Sequence, residues 1–185
     1  ADFFAAAQAV TAGISDWSDG HQDVWKVVQA CLVAVSGRGV STATARGEAF
    51  APLNVRVTPV GAAIPPHAEN NHLSWPGYRA IAPQLAGSIL SLYLVIQAPD
   101  GGGVLELADV LAGDERVVMP PSGLADLTEV APRYTPVALT EGSLVLFDGG
   151  RRFHRVTTVT GQRQRITVGG FVAQSPAASD LVVFS

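Results

Sequence analysis

Residues 143–173 read Ser143-Leu-Val-Leu-Phe-Asp-Gly-Gly-Arg-Arg-Phe-His-Arg-Val-Thr-Thr-Val-Thr-Gly-Gln-Arg-Gln-Arg-Ile-Thr-Val-Gly-Gly-Phe-Val-Ala173. Short apolar runs alternate with turn residues. The spacing predicts strands over 143–147, 154–159 and 163–173, separated by Asp148-Gly-Gly150 and Gly161-Gln162. Short strands with turns this close together point to a β-sandwich or barrel. The texture extends in both directions. Ile89-Leu-Ser-Leu-Tyr-Leu-Val-Ile96 is a nearly continuous apolar run and reads as a central strand buried on both faces. Asp100-Gly-Gly-Gly103 turns it into a return strand, Val104-Leu-Glu-Leu107. Leu53 to Val60 alternates at period two, placing Leu53, Val55 and Val57 on one face and Asn54, Arg56 and Thr58 on the other. A last strand is expected over 180–184, after Ser175-Pro176. Residues 109–135, with Pro120, Pro121, Gly123 and Pro132, read as one long loop.

Only the start of the chain differs. Phe3, Phe4, Ala7 and Val10 recur at helix spacing, with Gly13 as the expected stop. Asp16, Ser18 and Asp19 are cap candidates for a second helix, whose face is Val24, Val27, Val28, Cys31, Leu32 and Val35. It ends near Gly37. The expectation is one mostly β domain over 1–185, with a helical segment (1–38) packed on a β core (39–185). A chain of 185 residues buries a core without disulfides or a structural metal.

Composition removes several classes of function. Charged residues are 15% of the chain, below the roughly 25% that is typical, and hydrophobic residues are 48%. Such a chain has enough apolar surface to fold. The net charge is −4 and no basic run exceeds Arg151-Arg152, which argues against nucleic acid as a partner. No apolar stretch has the length of a membrane-spanning helix. The single cysteine, Cys31, excludes an internal disulfide and makes the cytoplasm the expected compartment.

The chemistry concentrates on the four histidines: His21, His67, His72 and His154. His67 ends a strand after Gly61-Ala-Ala-Ile-Pro-Pro66, and Glu69 follows two residues on, so both can converge from one extended segment. His154 starts a strand after the glycine turn. Two imidazoles and one carboxylate on one face of a metal, with open positions opposite, suit non-haem Fe(II) oxygen chemistry. Arg163 and Arg165 follow on the next strand, where period two would place both on one face. At least one can then reach a dicarboxylate beside the metal, since the guanidinium fork donates two parallel hydrogen bonds. Thr167 continues that face and offers a hydroxyl.

These residues, with Glu141 to Val156, Thr160 to Phe171, Ser91 to Gly103 and the closing Leu181-Val-Val-Phe-Ser185, resemble the Fe(II)/2-oxoglutarate-dependent oxygenases. The resemblance covers about residues 50–185. It is closest to a bacterial subgroup of hydroxylases and halogenases of free amino acids. The resemblance implies a double-stranded β-helix (jelly roll) core, with Fe(II) and 2-oxoglutarate as cofactor and co-substrate and O2 as oxidant. It implies iron on His67, Glu69 and His154, and the distal carboxylate of 2-oxoglutarate on Arg165 or Arg163, Arg165 being favoured. It further implies decarboxylation to succinate and CO2, coupled to oxidation of a small molecule, most simply hydroxylation of a free amino acid or a metabolite derived from one. Two departures stand out. The usual motif is His-x-Asp, and here it is His-x-Glu; halogenases resemble this pattern with a small residue at that place, leaving room for halide. Phe184 stands where the subgroup often has Trp.

Around this centre the candidate assignments are Tyr93 at the co-substrate, and Arg56, Asn70, His72 and Trp75 at the substrate. Tyr78 joins Trp75 as a candidate lid aromatic. Each has a plainer reading: Arg56 as a surface ion, Trp75 and Tyr78 as packing on the barrel rim. His72 is also a rival ligand, which would make the site cupin-like. Two further alternatives are a peptide or protein hydroxylase and a jelly-roll sensor without turnover.

Overall fold

The computed structural model describes residues 3–17, 23–69, 76–118, 125–176 and 179–185. In chain order the elements are α1 (Phe3–Trp17), α2 (Val24–Ser36), β1 (Val40–Thr42), β2 (Thr44–Ala45), β3 (Glu48–Ala49), β4 (Asn54–Thr58) and β5 (Ile64–His67). Then come α3 (Pro76–Arg79), a 3-10 turn (Ala82–Gln84), β6 (Ala86–Gln97), β7 (Gly101–Gly102), β8 (Leu105–Leu111) and β9 (Tyr134–Val137). The chain closes with β10 (Leu144–Phe147), β11 (Arg152–Val156), β12 (Val159–Thr160), β13 (Arg165–Gln174) and β14 (Leu181–Phe184). The fold is mostly β, as the turn spacing predicts, with the jelly-roll core that the resemblance implies.

The chain forms two compact units, and β4, β6 and β13 each run from one into the other. The first unit takes residues 1–55, 73–87 and 169–185. Here β14 pairs parallel with β1 and antiparallel with the second half of β13, with Phe171 opposite Phe184. An aromatic cluster fills this unit. The Phe171 and Phe184 rings lie 5.5 Å apart, and Tyr78 touches both at 6.3 and 5.8 Å. Phe50 sits 6.2 Å from Tyr78 and 5.6 Å from Phe4, the latter edge-on. Each such pair contributes about 0.5–1.5 kcal/mol beyond its buried area. Tyr78 thus packs in this cluster. Gly170 is required beside it, because a Cβ there would lie 2.6 Å from the Pro52 carbonyl oxygen and 2.8 Å from that of Phe184.

The helices differ from expectation at their ends. The first continues through Gly13 to Trp17, since one glycine costs a helix only about 1 kcal/mol. The cap of α2 is Asp23, whose carboxylate accepts from the backbone N–H of Trp25 and Lys26. Gly37, at φ 66°, closes the helix by donating to the Val33 carbonyl.

The second unit takes residues 56–72 and 88–168. Its main sheet has the order β5-β11-β8-β9, all neighbours antiparallel. β10 pairs with β6, placing Val145 opposite Tyr93 and Phe147 opposite Ser91. β12 pairs with β7 across the Gly101–Gly103 turn. A core of Ala68, Ala108, Val110, Leu127 and Phe153 underlies the sheet. Two expectations change. Leu53 is fully buried, but Val55 and Val57 are each 49% exposed. Alternation identifies a strand without saying whether anything covers its face. The expected loop over 109–135 is shorter at both ends, because β8 reaches Leu111 and β9 starts at Tyr134. Pro136 inside β9 hid that strand, as proline removes a ladder donor.

Candidate metal centre

His67 is the last residue of β5, and His154 is its direct partner on β11. The pairing register therefore brings the two imidazoles together, their rings 4.2 Å apart. Each ring is held the same way: Nδ1 of His67 lies 2.8 Å from the Pro65 carbonyl oxygen, and Nδ1 of His154 lies 3.0 Å from that of Arg152. A carbonyl oxygen only accepts, so each Nδ1 carries the ring proton and donates. With Nδ1 so engaged, it is Nε2 of each ring that is left to offer a lone pair to a metal.

Both lone pairs meet Glu69. Its Oε1 lies 3.5 Å from Nε2 of His67 and 3.5 Å from Nε2 of His154. The side chains of Glu69 and His154 are 5% exposed and that of His67 is 16% exposed. One potential ligand atom from each of the three lies within 4.8 Å of the others. Three electron-rich atoms this close repel one another in a dry site unless a proton or a metal ion sits among them. Two ligands about 2.0–2.2 Å from one ion at a right angle are about 3 Å apart. The two Glu69–imidazole distances of 3.5 Å need only a slight closure, and the donor set of two imidazoles and a carboxylate fits a first-row metal bound on one face.

The Asp148-Gly149-Gly150 turn holds Glu69 in place. The backbone N–H of Glu69 donates to the Gly149 carbonyl at 2.8 Å. Gly149 has to be glycine, because a Cβ there would lie 1.8 Å from Ser91 Oγ and 3.2 Å from Glu69 Cγ. The turn is pinned in turn. Asp148 Oδ1 accepts from the Ser88 hydroxyl and from the Arg151 N–H, and the Gly150 N–H donates to the Ile89 carbonyl. Ser91, buried on β6, brings its hydroxyl to 3.5 Å from Glu69 Oε1. Phe147 packs edge-on against His154 at 4.9 Å. Sequence reasoning did not single out Ser91, Gly149 or Phe147. The available signal was Ser91 itself, a polar residue within the otherwise apolar run 89–96.

Arg163 and Arg165 do not share a face. Arg163 lies before β13 and outside any strand, so the period-two argument does not apply to it. It is exposed and pairs with Glu141 at 2.8 Å. Its backbone N–H donates to Asp100, whose carboxyl is held below its ordinary value first by the bond from the Gln162 N–H and then by this one. Arg165 opens β13, is 4% exposed and makes no ion pair among the described residues. Its guanidinium lies over the Tyr93 ring at 5.1 Å. Burial draws its pKa below that of an ordinary arginine. Burial also pushes the Tyr93 hydroxyl up to about 12, the charge of Arg165 pulling the other way. That hydroxyl is shielded from solvent and makes no hydrogen bond of proper geometry among the described residues. Thr167 is buried two residues beyond Arg165. Arg56 is exposed, yet its charge acts on both Arg165 and Tyr93. Asn70, His72, Trp75 and His21 lie outside the described residues.

A family model described as "Carrier-protein-independent halogenase WelO5" matches residues 1–185. The chain belongs to this family. The resemblance to Fe(II)/2-oxoglutarate oxygenases holds, and the family member described here is an enzyme of that superfamily. Its fold is similar to that of an N-substituted L-amino acid dioxygenase from Burkholderia ambifaria AMMD, with a TM-score of 0.63 and 17% identity. The match covers 99% of this chain and 68% of that one. The same enzyme in complex with α-ketoglutarate gives a TM-score of 0.58, at the same identity and coverage. PvcB, an Fe, α-ketoglutarate-dependent oxygenase from an isonitrile synthetic pathway, gives 0.43 at 9% identity, covering 75% of this chain and 69% of its own. No curated protein matches the chain.

Proposed function

We propose that this protein hydroxylates a small molecule, a free amino acid or a metabolite derived from one, using Fe(II) and 2-oxoglutarate. The observation that carries this reading is the convergence of His67, His154 and a carboxylate, Glu69, on one point. A halogenase needs a coordination position for halide, and here a buried side chain already fills it. In this reading Nε2 of His67, Nε2 of His154 and the Glu69 carboxylate hold the metal. Once bound, iron supplies oxygen activation while 2-oxoglutarate supplies two electrons by decarboxylation to succinate and CO2.

The chain supplies position and charge. Arg165 is a buried cation without an anion, which is costly until a carboxylate arrives. It therefore receives the distal carboxylate of 2-oxoglutarate, with Tyr93 and Thr167 as hydroxyl donors beside it. Because burial keeps Tyr93 protonated, it donates and does not repel. Arg56, exposed but close enough to act on this pair, meets a substrate carboxylate. Asn70, His72 and Trp75 remain candidates for the substrate side.

An anaerobic titration with Fe(II) and 2-oxoglutarate tests the reading. The weak visible charge-transfer band of the chelate is expected with wild type and Arg163→Ala, and at least 10-fold weaker 2-oxoglutarate binding with Arg165→Ala. Equal binding by both variants would remove Arg165 from this role. The second reading, halogenation, is favoured by the family match over the whole chain. Product mass spectra with chloride or bromide present decide between them: hydroxylation gives a gain of one oxygen in either halide.

A further inference from the structure

The backbone that leads into Arg165 has no apolar anchor of its own. Residues 161–164 read Gly-Gln-Arg-Gln, all four are exposed, and β13 begins only at Arg165. A segment with so little buried surface frays unless hydrogen bonds hold it. Here the bonds come from the end of β6 and the turn after it. The Asp100 carboxylate accepts from the Gln162 N–H at 2.7 Å and from the Arg163 N–H at 3.0 Å, both on Oδ2. The Gln97 side-chain amide donates to the Gln164 carbonyl at 2.8 Å. Each of the three residues before Arg165 is thus tied to a side chain of 97–100. Glu141 braces the arrangement by accepting from the Ala98 N–H and from the Arg163 guanidinium. Two glycines allow the close approach. A Cβ at Gly161 would lie 2.5 Å from that of Asp100, and one at Gly103 would lie 3.2 Å from Arg165 Cδ. The Asp100 bonds therefore fix where β13 starts, and Gly103 fixes where the Arg165 stem rests.

We propose that Asp100 is a positioning residue for Arg165: it fixes the first residue of β13, and with it the direction in which the buried guanidinium leaves the strand. The inference rests on the assignment of Arg165 to the distal carboxylate of 2-oxoglutarate. A guanidinium recognises a carboxylate directionally, since its planar fork has to meet both oxygens. A strand start that is free to move spreads the fork over several orientations, and the cost of ordering it then falls on binding. The Arg163 side chain contributes little, because its ion pair is exposed. Arg163→Ala keeps the backbone N–H that Asp100 accepts, so the two positions give different outcomes.

Anaerobic titration of the Fe(II) protein with 2-oxoglutarate tests the inference in Asp100→Ala, Asp100→Asn, Arg165→Ala and the double variant with both alanines. Asp100 is exposed, so truncating it removes no core packing. Asp100→Ala is expected to weaken 2-oxoglutarate binding about 3- to 10-fold, with Fe(II) affinity unchanged. It should also speed amide hydrogen exchange over residues 161–165 in the ligand-free protein. Asp100→Asn keeps an acceptor oxygen and should restore both. In the Arg165→Ala background, Asp100→Ala should bring no further weakening, because its effect passes through that guanidinium. Faster exchange with unchanged 2-oxoglutarate affinity would leave Asp100 a structural role only and overturn the inference. Weakening that persists without Arg165 would overturn it as well. If Arg165→Ala binds 2-oxoglutarate as wild type does, the co-substrate assignment falls and takes the inference with it. If Arg165→Ala loses binding while Asp100→Ala does not, the inference alone falls.

Discussion

Glu69 decides more than any other residue. Its carboxylate oxygen is equidistant from two imidazole nitrogens that are already oriented by carbonyls two residues behind them. Glu69→Ala is expected to weaken Fe(II) binding by more than the about 10–100-fold that loss of an outer partner costs. The circular dichroism spectrum should not change. Unaltered Fe(II) affinity would show that Glu69 is no ligand. Tyr93 makes a separate prediction through its proton. Its pKa rises from 10.0 to about 12 in the folded state, chiefly by desolvation. Between those values the native state keeps a proton that the unfolded chain releases, so stability falls as pH rises from about 10 towards 12. Thermal unfolding followed from pH 9 to 12 should show a shallower decline for Tyr93→Phe than for wild type. Equal declines would mean that Tyr93 does not carry the effect. The cluster of His67, Glu69 and His154 was legible from residue type and spacing read together with the family resemblance. The partner of Arg163 was not, because Glu141 lies 22 residues away on a different turn.

At the scale of elements, the centre is built by a ladder and a turn. β5 and β11 place His67 opposite His154, and a slip of one residue would send one imidazole to the opposite face. The 148–150 turn then presses on Glu69. Gly149→Ala is expected to displace that turn and cost about 1–3 kcal/mol, with a measurable loss of Fe(II) affinity. Combining it with Ser91→Gly removes the closest clash, at 1.8 Å, and should recover part of the stability. A strictly additive double variant would place the strain elsewhere. Strand existence was readable from apolar runs and glycine turns, and the 148–150 turn was found where expected. Strand ends were not: β11 starts at Arg152 and β13 only at Arg165. Those limits are set by pairing partners far away in sequence, which local patterns do not contain.

At the scale of the whole molecule, sequence patterning gave the mostly β class and the helical start. It did not show that the contacts fall into two units, since β4, β6 and β13 belong to both and are uninterrupted in sequence. The measurable whole-chain consequence is linkage. Ligands that bind only the folded state add about 2.7 kcal/mol at a hundred times their dissociation constant. For a chain of this size that corresponds to about 5–11 °C in Tm. Fe(II) with 2-oxoglutarate should raise Tm by this order, and a chelator should reverse it. An unchanged Tm under saturating Fe(II) would speak against a preformed metal centre.

The cross-strand pairing of His67 with His154 also separates what is fixed in this centre from what is free to vary. The two imidazoles are placed by the hydrogen-bond register, so moving either one means moving a ladder. Glu69 lies just past the end of β5, where its side chain can change while the pairing stays. In codon terms, glutamate becomes glycine by one transition at the second base. If iron is held as proposed, the ligand that would set hydroxylation against halide binding is thus the one that a single base change can remove, with the scaffold for the other two kept.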